Sequence, residues 1–181
     1  MGEQEHSVAE IEVIYSLTRL SKVRENLSAL AGLILVPSPI GQENSLLMSV
    51  ALAQSISIER LQHLLYSFIS LNNNMLVRNM GALKYAQLLE AVRQKNVKDL
   101  LVLTALSQLL QRDIYVLTQF NLHIYELNMS QNFKGSPLYL MCDCYSTFHY
   151  YNRNSMLPEH LIRQGVIAGY PEANITHHRF H

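Results

Sequence analysis

Gln42-Glu43-Asn44-Ser45-Leu46-Leu47-Met48-Ser49-Val50-Ala51 is a polar turn running into an apolar segment. Short polar side chains at Asn44 and Ser45 suit the start of a helix. The Leu, Val and Ala residues that follow predict a buried helix from about Leu46 to Gln54. By itself Ser45 reads as a helix cap. Far downstream, Phe148-His149-Tyr150 follows a strand-like run. A hydroxyl at a helix start and an imidazole at a strand end have the layout of a nucleophile and its base.

Upstream of the turn, Ser7-Val8-Ala9-Glu10 fits a capping box. Apolar residues then recur at Ile11, Ile14, Leu17, Leu20, Val23, Leu27 and Leu30, one face of a helix that ends near Gly32. Val36-Pro37-Ser38-Pro39 is expected to be extended, because each proline disfavours helical geometry in its predecessor. Downstream, Ser57 can cap a helix carrying Leu61, Leu64, Leu65, Phe68 and Leu71, which Asn72-Asn73-Asn74 stops. Tyr85, Leu88, Leu89 and Val92 mark a third helix. Val97 to Leu110 is a fourth, with Leu100, Leu103, Leu106 and Leu110 on one side.

After Arg112 the period changes. Ile114-Tyr115-Val116-Leu117, Leu122-His123-Ile124-Tyr125, Leu138-Tyr139-Leu140-Met141 and Phe148-His149-Tyr150-Tyr151 are short aromatic or apolar runs bounded by turn residues. A helical N-terminal half before a strand-rich C-terminal half predicts an α+β fold, with helices packed on a small C-terminal sheet. The expected organisation is one compact unit: an N-terminal helix over 1–32, a central domain over 33–157 and a C-terminal extension over 158–181. The extension is expected to add a helical turn after Pro158 and to fray at His177-His178-Arg179-Phe180-His181.

Composition narrows the function classes. The chain has 181 residues, enough for one full core, with 49% hydrophobic and 15% charged residues. Fourteen basic residues balance fourteen acidic ones, which argues against a nucleic-acid groove. The apolar N-terminal pattern is interrupted by Arg19, Lys22, Arg24, Glu25 and Asn26, so neither a membrane span nor a secretory signal is expected. The two cysteines, Cys142 and Cys144, fit a reducing compartment, cytoplasmic or nuclear. The acceptor patterns at Asn26, Asn128 and Asn174 then read as chance matches. Cys142, Cys144 and His149 fall short of a four-ligand structural zinc site, so no metal and no cofactor are expected.

A thiol at a helix start has its anion stabilised by the dipole and by free amides, and the preceding turn supplies an oxyanion hole. A histidine on a neighbouring strand takes the proton, and a third polar side chain fixes its ring. In this arrangement the chain resembles the OTU (ovarian tumour) domain, a papain-type fold found in cysteine deubiquitinases. The family's first segment reads Asp-Gly-Asn-Cys-Leu-Phe-Arg. Here Asn44 and Leu46 match it, while Gln42, Glu43, Ser45, Leu47 and Met48 depart from it. The second is a helix-to-strand passage, here Leu103 to Val116. The third is a strand, a loop and His-Tyr, here Pro137-Leu138-Tyr139-Leu140 and His149-Tyr150. The resemblance covers roughly 33–153.

It implies Ser45 in the nucleophile's place, His149 as base, and Gln42, Glu43 and Asn44 as the oxyanion turn. The family's ring-orienting residue commonly lies two positions after the histidine, which is Tyr151 here; Asn152, one further, is the polar candidate. On a regular strand Asn152 would face away from His149. An alcohol needs a strongly oriented base, and a carboxylate at Glu43 opposes charge on an oxyanion, so the resemblance implies a catalytically impaired domain. Its expected role is recognition of ubiquitin or another protein, or scaffolding. The alternatives are an active deubiquitinase in which Ser has replaced the catalytic Cys, and a helical interaction module unrelated to ubiquitin.

Overall fold

The computed structural model describes residues 32–38, 44–94, 101–127, 136–143, 147–153 and 156–179. Within these, six strands form one mixed sheet: β1 (Leu33–Val36), β2 (Ile114–Leu117), β3 (Leu122–Glu126), β4 (Leu138–Cys142), β5 (Phe148–Arg153) and β6 (Ile175–Arg179). Their order across the sheet is β1-β5-β4-β2-β3-β6. Neighbours β1–β5, β4–β5 and β2–β3 run antiparallel, whereas β2–β4 and β3–β6 are parallel.

The sheet is covered on both faces, and its residue alternation shows how. Ile114, Val116, Leu138, Leu140 and Phe148 point into one core. Tyr115, Leu117, Tyr139, Met141 and Tyr151 point into the other. β2 is buried at all four positions, which is why it reads as the unbroken apolar run Ile-Tyr-Val-Leu rather than alternating.

Five helices build the first core: α1 (Ser45–Gln54), α2 (Ile58–Leu71), α3 (Asn73–Met80), α4 (Ala82–Arg93) and α5 (Leu101–Leu110). Ser57 caps α2 by accepting the Arg60 amide at 3.1 Å, and α2 buries Leu61, Leu65 and Ile69 at helical spacing. Asn72 ends α2, its amide side chain and its backbone N–H both donating to Phe68 O. Gly81, with φ +88°, separates α3 from α4 in a conformation that a side chain would strain. On the opposite face, α6 (Glu159–Ala168) buries Ile162 and Val166 in the second core.

The α+β expectation holds at the level of composition: six α-helices and a six-stranded mixed sheet among the described residues. Four departures from the expected layout have physical causes. The sheet is not built from the C-terminal half alone, since β1 pairs with β5 from Leu33↔Arg153 to Val36↔Tyr150. The Asn run that ends α2 also opens α3, because Asn suits both a helix end and a helix start. The stretch after Pro158 forms ten helical residues, because Ile162 and Val166 bury where the second face needs cover. Within the described part of the tail, His177, His178 and Arg179 belong to β6 rather than fraying, while Phe180 and His181 lie outside the described residues. The expected N-terminal helix lies almost wholly in residues 1–31, outside the described residues, as do Val97 and Leu100. No helix among the described residues is long and apolar enough to cross a membrane.

Leu106 is fully buried in the first core, whereas Ile34 on the edge strand is 61% exposed. Leu106→Ala should cost about 2–5 kcal/mol in urea denaturation, and Ile34→Ala should stay within roughly 0.5 kcal/mol. Equal losses would contradict this packing.

Candidate functional site

Three chain segments meet at one end of the sheet: the residues after β1, the first turn of α1 and the β4–β5 hairpin. β1 leaves the ladder after Val36, so the next peptide of β5, at Phe148, has no strand partner on that side. Serine hydroxyls take over. Phe148 N–H donates to Ser45 Oγ at 3.0 Å. Phe148 C=O accepts from Ser38 Oγ at 2.6 Å and from Ser49 Oγ at 2.9 Å. Ser38 and Ser49 also touch each other, Oγ to Oγ, at 3.1 Å. Ser45 and Ser49 lie one helical turn apart, which puts both hydroxyls on the face of α1 that meets β5.

Ser45 is therefore not the helix cap that its isolated reading suggests. Asn44 holds the N-cap position, with no side-chain capping bond, and its carbonyl accepts from Met48 N at 2.9 Å. Ser45 is the first helical residue and turns its hydroxyl to the strand.

His149 is fully buried and sits between the ends of two strands. Its Nδ1 accepts the Ser38 backbone N–H at 2.9 Å. Its Nε2 lies 3.0 Å from Asp143 Oδ2, in a pair whose side chains are both inaccessible to solvent. An amide can only donate, so Nδ1 carries no proton; the ring proton sits on Nε2 and points at the carboxylate. Asp143 is itself fixed by the hairpin: Thr147 N donates to its Oδ1 at 3.0 Å, and Asp143 N donates to Thr147 O at 3.0 Å.

The structure brings Ser45 and His149 to the same corner without joining them. Among the described residues, Ser45 bonds to the Phe148 amide and the His149 ring to Ser38 and Asp143. Asn152 is not brought to the ring. β5 keeps an unbroken register here, so Asn152 shares a face with Phe148 and Tyr150, is exposed, and lies opposite the His149 face. Asp143 takes the ring-orienting place instead. Gln42 and Glu43, the remaining expected members of the oxyanion turn, lie outside the described residues, and so does Cys144.

Sequence reasoning missed Asp143 and Ser38. Asp143 carried a usable signal: it directly follows a strand whose hairpin returns five residues later, which folds it back beside the next strand. Ser38 reaches the His149 ring through its backbone N–H, and a main-chain donor leaves no trace in residue type. Cys142 is no substitute nucleophile, because burial and the Asp143 carboxylate push its thiol up to about 12. Among the described residues no three His, Cys, Asp or Glu side chains are placed to share a metal.

Chemically, a histidine oriented by a carboxylate has half of a proton relay. The other half requires a nucleophile at Nδ1, and that position holds an amide that does not exchange its role. The arrangement cross-links β1, β4 and β5.

Ser45→Ala leaves the Phe148 N–H without its partner, whereas Ser49→Ala leaves the Phe148 carbonyl with Ser38. Chemical denaturation should show a loss of about 1–3 kcal/mol for the first, and about 0.5–1.5 kcal/mol for the second. The reverse ranking would remove Ser45 from its structural role. Long-range nitrogen–proton NMR correlation should place the His149 proton on Nε2 at neutral pH, and Asp143→Ala should destabilise the fold by about 1.5–3 kcal/mol. A proton found on Nδ1 would contradict the contact with Ser38.

No protein-family model matches this chain, and no curated protein is detectably similar to it in sequence.

Proposed function

We propose that this chain is an OTU-like domain on a papain-type frame that recognises a protein, ubiquitin being the partner the frame implies, and does not cleave it. The observation that carries the non-cleaving part is the occupation of His149 Nδ1 by the Ser38 amide, 2.9 Å away in a fully buried site. A base whose acceptor lone pair is bound to a main-chain donor cannot take a proton from a nucleophile. The Ser45 hydroxyl in turn serves as acceptor to Phe148 N–H. Its replacement by a thiol would weaken that bond without freeing the histidine. The corner therefore supports a frame retained for shape: α1 held on β5, and β1 held beside it.

One contact favours a second reading. Asp143 Oδ2 orients the His149 ring at 3.0 Å as a triad carboxylate would. An active cysteine deubiquitinase with Ser in place of Cys would use that pair once Ser38 moved aside.

Ubiquitin carrying a thiol-reactive C-terminal warhead separates the two readings. With Ser45→Cys, no adduct is expected under conditions where an active OTU enzyme reacts fully. An adduct that disappears in Ser45→Cys/His149→Ala would establish the second reading and sink the first. Titration of labelled ubiquitin with the unmodified chain should perturb a contiguous patch of ubiquitin resonances. No perturbation at millimolar chain would remove ubiquitin as the partner and leave the unrelated interaction module.

A further inference from the structure

Among the described residues β6 is an edge strand, paired with β3 in parallel register from Leu122↔Ile175 to Glu126↔Arg179. The two faces of this strand pair are held by different chemistry. On the face of the first core, His123 Nδ1 and His178 Nε2 lie 3.0 Å apart. The His178 ring also stacks on Tyr125, with centroids 4.3 Å apart and planes within 6°. On the other face, Glu126 pairs with His177 Nδ1 at 2.8 Å and with Arg179 Nε at 2.9 Å.

A hydrogen bond between two imidazoles needs one nitrogen to donate and the other to accept. It survives while at least one ring is neutral. When both rings are charged, two N–H groups face each other at that distance and the contact becomes repulsive. β6 lies at the edge of the described sheet, and its five residues are all half-buried or exposed.

We propose that β6 is an acid-released strand, latched to β3 by the His123–His178 hydrogen bond and freed when both rings become charged. The surroundings favour this outcome. Burial holds both imidazoles below the ordinary histidine value, and for His178 the neighbouring His123 and His177 add to the lowering. Around the latch, Tyr125 faces it from β3, while Glu126, His177 and Arg179 lie on the opposite face. α5, which packs on β3, has no titratable side chain between Leu101 and Leu110. No carboxylate is among the groups that shift either ring. The Glu126 pairs flank His178 in sequence, at His177 and Arg179, and lie on the opposite face of β6 from the histidine pair.

The sign follows from linkage. Both histidines bind protons less readily in the closed strand than in the opened one. Their contribution is complete above the ordinary value of about 6.5 and is lost as pH falls through the lowered values. The factor by which closing weakens proton binding is the factor by which acid favours opening, about tenfold for each pKa unit.

The test is amide hydrogen exchange of the 181-residue chain at pH 7.5, 6.5, 5.5 and 5.0, read as protection factors so that intrinsic rates cancel. Protection across Ile175–Arg179 should fall at least several-fold from pH 7.5 to 5.0, while Ile114–Leu117 keeps its protection. In His123→Phe and His178→Phe the pH dependence of β6 should vanish, and in His177→Gln it should remain. Proton NMR titration of the two rings in the unmodified chain keeps the test decisive if a Phe variant fails to fold, since a latch requires both to titrate below the ordinary value. Uniform protection of β6 across this range, or titration of both rings at the ordinary value, would overturn the proposal.

Discussion

One residue of β5, Phe148, holds this end of the molecule together through its two main-chain groups. Its N–H and C=O must be satisfied in a buried setting, because an unpaired main-chain group there costs as much as a lost hydrogen bond. β1 ends two residues too early to do it. Three hydroxyls from two other segments therefore substitute for a strand. This single requirement presses α1 against β5, explains serines at positions 45 and 49 of an otherwise apolar helix, and carries Ser38 to the edge of the His149 ring.

Around that residue, charge is handled by enclosure. Asp143 and His149 are wholly removed from water, where a lone carboxylate would be costly and a partnered one rigidly held. The hairpin amide at Thr147 and the imidazole proton share the carboxylate's load. The same enclosure that fixes the pair keeps both side chains out of contact with solvent.

The fold was legible wherever burial dictated residue type. The four central strands coincide with the aromatic and β-branched runs, because strands covered on both faces have little room for polar residues. The Ser57 cap was legible for the same local reason. β1 was not, because four apolar residues beside a Pro-Ser-Pro stretch acquire meaning only from β5. Nor was β6, whose Ile-Thr-His-His-Arg sequence looks like solvent-exposed tail and is held by cross-strand pairs that no local pattern encodes. In the candidate site, Ser45 and His149 were found as residue types, while the bonds that define their present roles run through a main-chain amide and a hairpin carboxylate.

The sheet order has a consequence for how the molecule comes into being. Ser38, Ser45 and Ser49 reach Phe148 and His149 across separations of 99 to 111 residues. Contacts of such long range are slow to form, but the entropy of closing a loop rises only slowly with its length. Once β1 finds β5, the remaining bonds close at little further entropic cost and reinforce one another. A nascent chain that has made all five helices of the first core holds Ser38, Ser45 and Ser49 but still lacks the β4–β5 hairpin that they bind. The helical layer must then wait with its apolar face uncovered until the later strands arrive, which is when such a chain most needs protection from its neighbours.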